Sequence, residues 1–206
     1  MDIFTKVKTV LFNPKNGWKK FEGETPKHGE VFLKYLLPIS LVAVVLVFIG
    51  NGLIDWRWAS AKVMVLQGIK NSLLWFLVIN GGAYLTTVLI DGIFAKVFGV
   101  EKNFDKTFAT VAYSFTPFAL FTILFLIPFM GWMYWMTSLY SLLLILFAQQ
   151  YNLSKTEIPQ GKKTGYALVS MGCLYVAFWT LYGIFYSILT AIFPNPIISA
   201  LRGFWL

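Results

Sequence analysis

Long uncharged runs divide the chain into segments with the length of membrane-spanning helices. No Asp, Glu, Lys or Arg occurs in residues 35–54, 71–90, 107–154 or 164–201. A helix of about 20 residues crosses the hydrocarbon layer of a bilayer, because each residue adds about 1.5 Å to its length. The run at 107–154 is too long for one crossing, and the turn residues at 128–131 divide it in two.

This pattern predicts an all-α, polytopic membrane protein. Lipid offers no water to the backbone groups of a spanning segment, and the chain lacks the alternating segments of about ten residues that build a membrane barrel. The spans are therefore expected to be helices. Five transmembrane helices are predicted, at 35–54, 71–90, 108–127, 132–150 and 164–193.

Composition excludes an ordinary soluble domain. Hydrophobic residues make up 58% of the chain, charged residues make up 13%, and the mean hydropathy is +0.69, which lies outside the balance of soluble proteins. The net charge is +8. Because the basic residues are scattered over the connections and no nucleic-acid motif accompanies them, we expect anionic lipid headgroups as partners and no nucleic acid.

The distribution of Lys and Arg predicts the orientation of the spans. Thirteen of the seventeen lie before the first span and in the second and fourth connections. Cytoplasmic loops carry the excess of these residues, so the N-terminus is predicted in the cytoplasm and the C-terminus across the membrane. The predicted domains are a cytoplasmic interfacial region at 1–33, the five-helix membrane domain at 34–193 and an extracytoplasmic tail at 194–206.

The N-terminal segment has the pattern of a helix that lies on a membrane surface. In residues 2–12 the apolar side chains recur on one face and lysines take the other, which is typical of an amphipathic helix on anionic lipid. Pro14 is expected to end it. The alternative is a soluble cytoplasmic arm, since so short a helix is marginal without a surface to bind. The predicted lipid-contacting residues are Lys6, Lys8, Trp18 and Phe21.

A polar stripe on the second predicted span is the best candidate for a site. At about 100° per residue, its four side chains share one face of a helix. In one interpretation the stripe bonds to other helices and Asp91 pairs with Lys96 or another loop cation. In the other it is a proton or cation site, since carboxylates inside a membrane are costly. The stripe consists of Asn80, Tyr84, Thr87 and Asp91.

The third predicted span carries a proline near its centre. Pro117 has no N–H and its ring clashes with the carbonyl of Tyr113, so a kink is expected, which serves either as a hinge or for packing alone. The hydroxyl of Ser114 or Thr116, or a neighbouring helix, is expected to satisfy that carbonyl. A second polar stripe, on the fourth span, is expected to face the stripe on the second: Tyr134, Thr137 and Ser141.

The residue types that support catalysis do not occur together in the sequence. The single histidine, His28, has no Cys or second His at the spacing of metal ligands, and no Ser has a recognisable base. Cys173 is the single cysteine, so no internal disulfide is expected. We predict a protein that is not an enzyme and that holds no cofactor.

Short motifs at the ends of the predicted spans resemble those of one family. They are Phe98-Gly99, Phe104-Asp105-Lys106-Thr107 and the segment 113–117, with Asn13-Pro14, Tyr35-Leu36-Leu37-Pro38 and Tyr140-Ser141 elsewhere. Together they resemble prokaryotic Yip1-domain proteins over nearly the whole chain. The resemblance implies five spans, a cytoplasmic N-terminus and a bacterial plasma membrane, whereas Asp91 matches no motif of the family.

Two functions stay open on the sequence. The first is a non-enzymatic membrane organiser that binds anionic lipid and recruits other membrane proteins; eukaryotic proteins of the family it resembles act in early secretory trafficking. The second is a small transporter or channel that uses both polar stripes around the kink. Because five spans are few for a monomeric transporter, the second hypothesis also predicts a homo-oligomer, with Gly82 and Thr86 on the packing face.

Overall fold

The computed structural model describes residues 3–21, 26–54, 60–127, 130–154 and 156–193. Helices are the regular structure in all five segments, and the described residues contain no strand, as the apolar pattern predicts. The predicted tail at 194–206 and the first half of the turn predicted at 128–131 lie outside the described residues.

Seven helices of eight residues or more build the described chain, and a short 3₁₀ helix at Met130–Met133 precedes the sixth. Two short helices come first, and a group of longer helices follows, each running against the direction of the one before. The helices are α1 (Ile3–Phe12), α2 (Pro14–Phe21), α3 (His28–Ile54), α4 (Ala61–Phe98), α5 (Phe104–Leu126), α6 (Tyr134–Asn152) and α7 (Gln160–Ile192).

Four of these helices, α3, α4, α5 and α7, are long and apolar enough to cross a membrane. The fourth predicted span, at 132–150, forms α6 but does not belong to that group. Its Gln, Ser, Thr and Tyr residues lower its mean hydropathy. The described residues are thus confirmed as all-helical with four candidate spans, and the crossing predicted at 132–150 stays a prediction.

The interior lies where α4, α5 and α7 meet. α4 packs on α3, α5 and α7, and α6 packs on α5 and α7 rather than on α4. A Cβ built on Gly82 would lie 3.1 Å from the ring of Phe115, and Thr86 is fully buried. Gly82 and Thr86 therefore pack inside the chain and do not form the subunit contact that the oligomer hypothesis assigned to them.

Proline and glycine set the irregularities of the long helices. Phe32–Leu36 forms a π-helical turn directly before Pro38, whose missing N–H leaves the carbonyl of Lys34 without its usual partner. Two more π-helical segments are Gly50–Ile54 at the end of α3 and Val88–Phe94, which precedes the end of α4 at Gly99. Gly99 has a φ of 71°, the left-handed conformation that ends helices and that residues with a Cβ adopt with strain.

The N-terminal helices pack against the bundle instead of extending away from it. α1 and α2 are joined at Asn13, as expected from the proline that follows it, and they contact α5 and α6. Val10 is buried there. The hydroxyl of Tyr140 on α6 donates a hydrogen bond to the carbonyl of Leu11, one of the carbonyls at the end of α1 that lack a helical partner.

Candidate functional site

An aromatic cluster joins α2 to the centre of α5. The ring centroid of Phe21 lies 5.0 Å from that of Tyr113, and the ring of Trp18 lies 6.2 Å from Tyr113 and 5.8 Å from Phe21. Aromatic pairs at such distances contribute about 0.5–1.5 kcal/mol beyond the area they bury. The cluster fixes α2 against the bundle.

Trp18 and Phe21 are only 4% and 8% exposed. This differs from the sequence prediction, which gave both side chains to the lipid headgroups. The physical reason is that Tyr113, halfway along α5, offers a ring to stack on.

Lys6 points toward the same cluster from α1. Its Nζ donates a hydrogen bond to the Tyr113 hydroxyl at 3.2 Å and lies 5.5 Å and 5.9 Å from the ring centroids of Tyr113 and Phe21. Cations are attracted to ring faces within about 6 Å. Lys6 therefore sits on the inner side of α1, whereas Lys8 is exposed.

Two linked hydrogen bonds occur where α5 kinks. Regular helix stops at Ser114, and the hydroxyl of Thr116 donates to the carbonyl of Tyr113 at 2.6 Å. The hydroxyls of Thr116 and Tyr35 lie 2.6 Å apart. Because Thr116 uses its one proton on the carbonyl, Tyr35 is the donor of that second bond. The freed carbonyl is thus satisfied, and α3 is tied to α5.

Tyr113 lines two cavities. The larger has a volume of about 180 Å³ and the smaller of about 30 Å³, and both also contact Pro26. Lys34 on the wall of the larger one pairs with Glu30 at 3.1 Å. The remaining lining of the larger cavity is formed by Ile3, Lys6, Val31 and Tyr35.

The outward face of α1 combines two aromatic rings with one cation. Phe4 is 73% exposed and Phe12 is 81% exposed, and Lys8 lies between them at helical spacing. Tyr113, which α1 contacts through Lys6, lies about 14 Å along α5 from its start at Phe104, at a rise of about 1.5 Å per residue. Phe4, Lys8 and Phe12 form one exposed row on α1.

Asp91 holds the connection between α4 and α5. Its Oδ1 accepts a hydrogen bond from the backbone N–H of Asn103 at 2.7 Å and from the Thr107 hydroxyl at 3.4 Å. Asn103 in turn caps α5 by accepting from the N–H of Lys106 at 2.9 Å. The predicted ion pair with Lys96 does not occur among the described residues.

A second carboxylate at this end of the bundle joins α3 to α5. Asp105 Oδ1 accepts from the backbone N–H of His28 at 2.7 Å and lies 2.7 Å from its ring Nδ1. The first N–H groups of a helix lack partners within it, so an acidic side chain there is favourable. Asp91 and Asp105 together fix where α3, α4 and α5 begin or end.

The predicted stripe on α4 does not continue in a straight line. Thr87 donates to the carbonyl of Ala83 at 2.8 Å and Asn80 to that of Phe76 at 2.8 Å, so both bond within α4. Tyr84 packs its ring 4.6 Å from that of Phe108. The π-helical segment that starts at Val88 adds a residue to the turn, and the regular spacing ends before Asp91.

The two predicted stripes do not face each other. On α6, Tyr134 donates to the carbonyl of Phe118 at 2.6 Å, and Thr137 donates to the carbonyl of Tyr134 at 2.5 Å. Ser141 is buried, and its Oγ has no partner among the described residues. α5 and α7 lie between α4 and α6, and the ring contact of Tyr134 with Trp75, at 4.5 Å, joins them at one point.

Comparison with known proteins places the chain in a family. The model of the Yip1 domain matches residues 8–182. The chain belongs to the Yip1 family. Neither a curated protein nor a solved structure matches it. The match supports membrane embedding, in agreement with the four apolar helices.

The matched range runs from the middle of α1 to the last third of α7. The range of this Yip1 domain includes Asp91, Asp105 and the aromatic cluster around Tyr113. Phe4 and Lys6 precede it. The beginning of α1 thus lies outside the match.

Sequence reasoning missed Lys34, Tyr35 and the partners of Asp105. Tyr35 stands three residues before Pro38, which is the signal that an irregular turn redirects side chains there. Asp105 directly follows the residue that begins α5 and is of the residue type favoured there, but nothing in the sequence connects it to His28. Only the packing of α3 against α5 brings them together.

Proposed function

We propose that this Yip1-family protein is a non-enzymatic membrane organiser whose N-terminal helices hold anionic lipid at one leaflet. The observation that carries the proposal is the outward row of Phe4, Lys8 and Phe12 on a helix packed against the bundle. Aromatic rings favour the headgroup boundary, and a lysine beside them attracts anionic headgroups.

The packing of α1 and α2 at one end of the bundle supports an organising role, because it makes the two ends unequal in width. α1 and α2 add their cross-section beside α5 and α6 at one end of the bundle only. One leaflet therefore accommodates two more helices than the other. Such an amphipathic insertion is sensitive to lipid composition and to curvature. Recruitment of other membrane proteins belongs to the same proposal.

The proposal includes five spans, with the N-terminus in the cytoplasm. The exposed side chains of α6 include Met136, Leu139 and Leu143, whereas its Thr137 and Ser141 are buried. A helix with apolar residues outside and polar residues inside suits a lipid surrounding rather than water. Since α6 has 19 residues, about 28 Å of helix, it is long enough to cross. The excess of Lys and Arg supports the orientation.

The transporter alternative gains no support from Asp91. Its carboxylate already accepts from Asn103 and Thr107, which explains its burial without a transported cation. The organiser role thus rests on the surface that α1 presents.

A photo-crosslinking experiment tests the proposal. A photoreactive phenylalanine analogue replaces Phe4 in the full-length protein, in nanodiscs that contain phosphatidylcholine and phosphatidylglycerol. We expect lipid adducts enriched in phosphatidylglycerol. Lys8→Glu should reduce that enrichment by at least about fivefold, since each basic residue near a membrane surface contributes about 1 kcal/mol and the new carboxylate repels anionic lipid as well. Mass spectrometry of the adducts gives the ratio.

Two controls separate this site from the general lipid surface. The analogue at Leu66, an exposed apolar position on α4, should give lipid adducts without a preference for either lipid. Lys62→Glu changes the net charge equally on an exposed residue at the opposite end and should leave the ratio at position 4 unchanged. Equal labelling of both lipids at position 4, or no lipid adduct there, would refute the proposal.

A further inference from the structure

A buried lysine on α4 has no anionic partner in the described chain. Lys70 is 4% exposed. Among the described residues it makes neither a hydrogen bond nor an ion pair, although an ammonium group carries three N–H donors. Charged side chains that are buried are almost always paired. The unmet donors therefore indicate a partner from outside the described chain.

The neighbour that Lys70 does have is an aromatic ring on α7. Its Nζ lies 5.4 Å from the ring centroid of Tyr186, which stacks on Tyr182 with a centroid distance of 5.8 Å and an interplanar angle of 9°. A ring face attracts a cation but accepts no full hydrogen bond from it. Tyr186 thus positions the ammonium and leaves its donors available.

The ammonium also keeps an opening to the surface. Six polar atoms of the described chain are enclosed and unpaired, and Nζ of Lys70 is not one of them. Tyr186, which covers it from outside, is 42% exposed. The ammonium is therefore not sealed inside the bundle, and it lies next to an exposed ring.

The depth of the site suits the headgroup layer. Lys70 lies about 14 Å along α4 from Ala61, and Tyr186 lies about 9 Å along α7 from Ile192, at a rise of about 1.5 Å per residue. Lysine side chains at such positions extend toward the polar layer. This end of the bundle is opposite to α1 and α2, since α4 runs from here toward Asp91.

We propose that Lys70 and Tyr186 form a binding site for a phosphate-bearing anion, the headgroup of an anionic lipid in the leaflet opposite to the N-terminal helices. The side chains beside Lys70 on the outer face of α4 are apolar and exposed, namely Leu66, Ile69 and Leu73. They give acyl chains a surface next to the cation. A lipid fits this combination, whereas a free anion uses the cation alone.

Native mass spectrometry of the full-length protein tests the site. The protein is released from detergent that contains equal amounts of phosphatidylglycerol and phosphatidylcholine. We expect wild type to retain phosphatidylglycerol preferentially and Lys70→Met to retain it about fivefold less, the effect of one basic residue at a membrane surface. Lys70→Arg keeps the charge and should retain the lipid.

Lys62→Met is the matched control, because Lys62 lies on the same helix at the same end but is exposed. It should retain phosphatidylglycerol as wild type does. Equal retention by wild type and Lys70→Met, or an equal loss in Lys62→Met, would overturn the proposal. So would a loss in Lys70→Met that accompanies dissociation of an oligomer, because the partner would then be another chain.

Inorganic phosphate separates the two sources of the anion. If a headgroup is held through both its phosphate and its acyl chains, excess inorganic phosphate should displace little phosphatidylglycerol. Complete displacement at millimolar phosphate would mean that the site takes a free anion, which contradicts the lipid assignment. A thermal unfolding curve for each variant verifies that the bundle is intact.

Discussion

The end of the bundle beside α1 and α2 is joined through carboxylates, whereas the opposite end is joined through aromatic rings and close glycine contacts. At the first end, Asp91 and Asp105 accept from backbone N–H groups at the starts of helices. At the other, the ring of Trp135 stacks on Trp179 at 4.9 Å, and Gly68 approaches Gly52 closely.

The two ends differ because one contains the unpaired backbone N–H groups of helix starts and the other contains helix crossings. Three helices begin or end within a few residues of the two aspartates, and the unpaired N–H groups there favour acidic acceptors. Where helices cross in lipid, apolar burial gives little driving force, so close packing of small residues and rings provides the contact. Lys70, a cation among rings, is therefore the exception at its end.

The largest effect is expected at the glycine contact. A Cβ on Gly68 would lie 2.6 Å from the Cα of Gly52, which is backbone and cannot turn aside. Gly68→Ala should lower the free energy of unfolding by about 3 kcal/mol, the upper range for overpacking. Thermal unfolding in detergent, followed by circular dichroism, measures it. Gly183→Ala, where a Cβ meets nothing within 4 Å, is the control and should not destabilise; equal melting of both variants would contradict the close contact.

A smaller loss is expected for the buried carboxylate at the other end. Asp91→Leu removes the acceptor of the Asn103 N–H, and we expect a loss of about 2 kcal/mol, typical for a hydrogen bond to a charged group. Asp91→Asn keeps an oxygen for that N–H and should recover most of the stability in the same unfolding assay. If proton or cation flux in proteoliposomes disappeared in Asp91→Asn while stability held, Asp91 would serve transport instead.

The smallest effect is expected for the exposed carboxylate. Asp105→Asn keeps an acceptor for the His28 N–H but loses the charge, and the side chain is half exposed. We expect a loss of about 0.5 kcal/mol at low salt, which falls further as salt screens the pair. Glu30→Gln, which breaks the exposed pair with Lys34, should behave alike. If Asp105→Asn lost as much stability as Asp91→Leu, the exposed aspartate would contribute as much as the buried one, which would contradict this prediction.

Local chemistry made part of the site predictable. The missing N–H of Pro117 is a property of the residue itself, and Thr116 was one of the two neighbouring hydroxyls within reach of the freed carbonyl. The structure shows that bond. The partners of Asp91 were not predictable, since the acceptor of the Asn103 N–H depends on how the connection folds back after Gly99.

The sequence by itself determined the helical class, the membrane environment and most helix positions. Those properties follow from hydrophobicity and backbone chemistry, which act over neighbouring residues. Tertiary structure alone decided that Trp18 and Phe21 stack on Tyr113 instead of facing lipid, that Gly82 packs inward, and that Lys70 meets Tyr186. These contacts join residues far apart in the chain, and the packing of whole helices selects them.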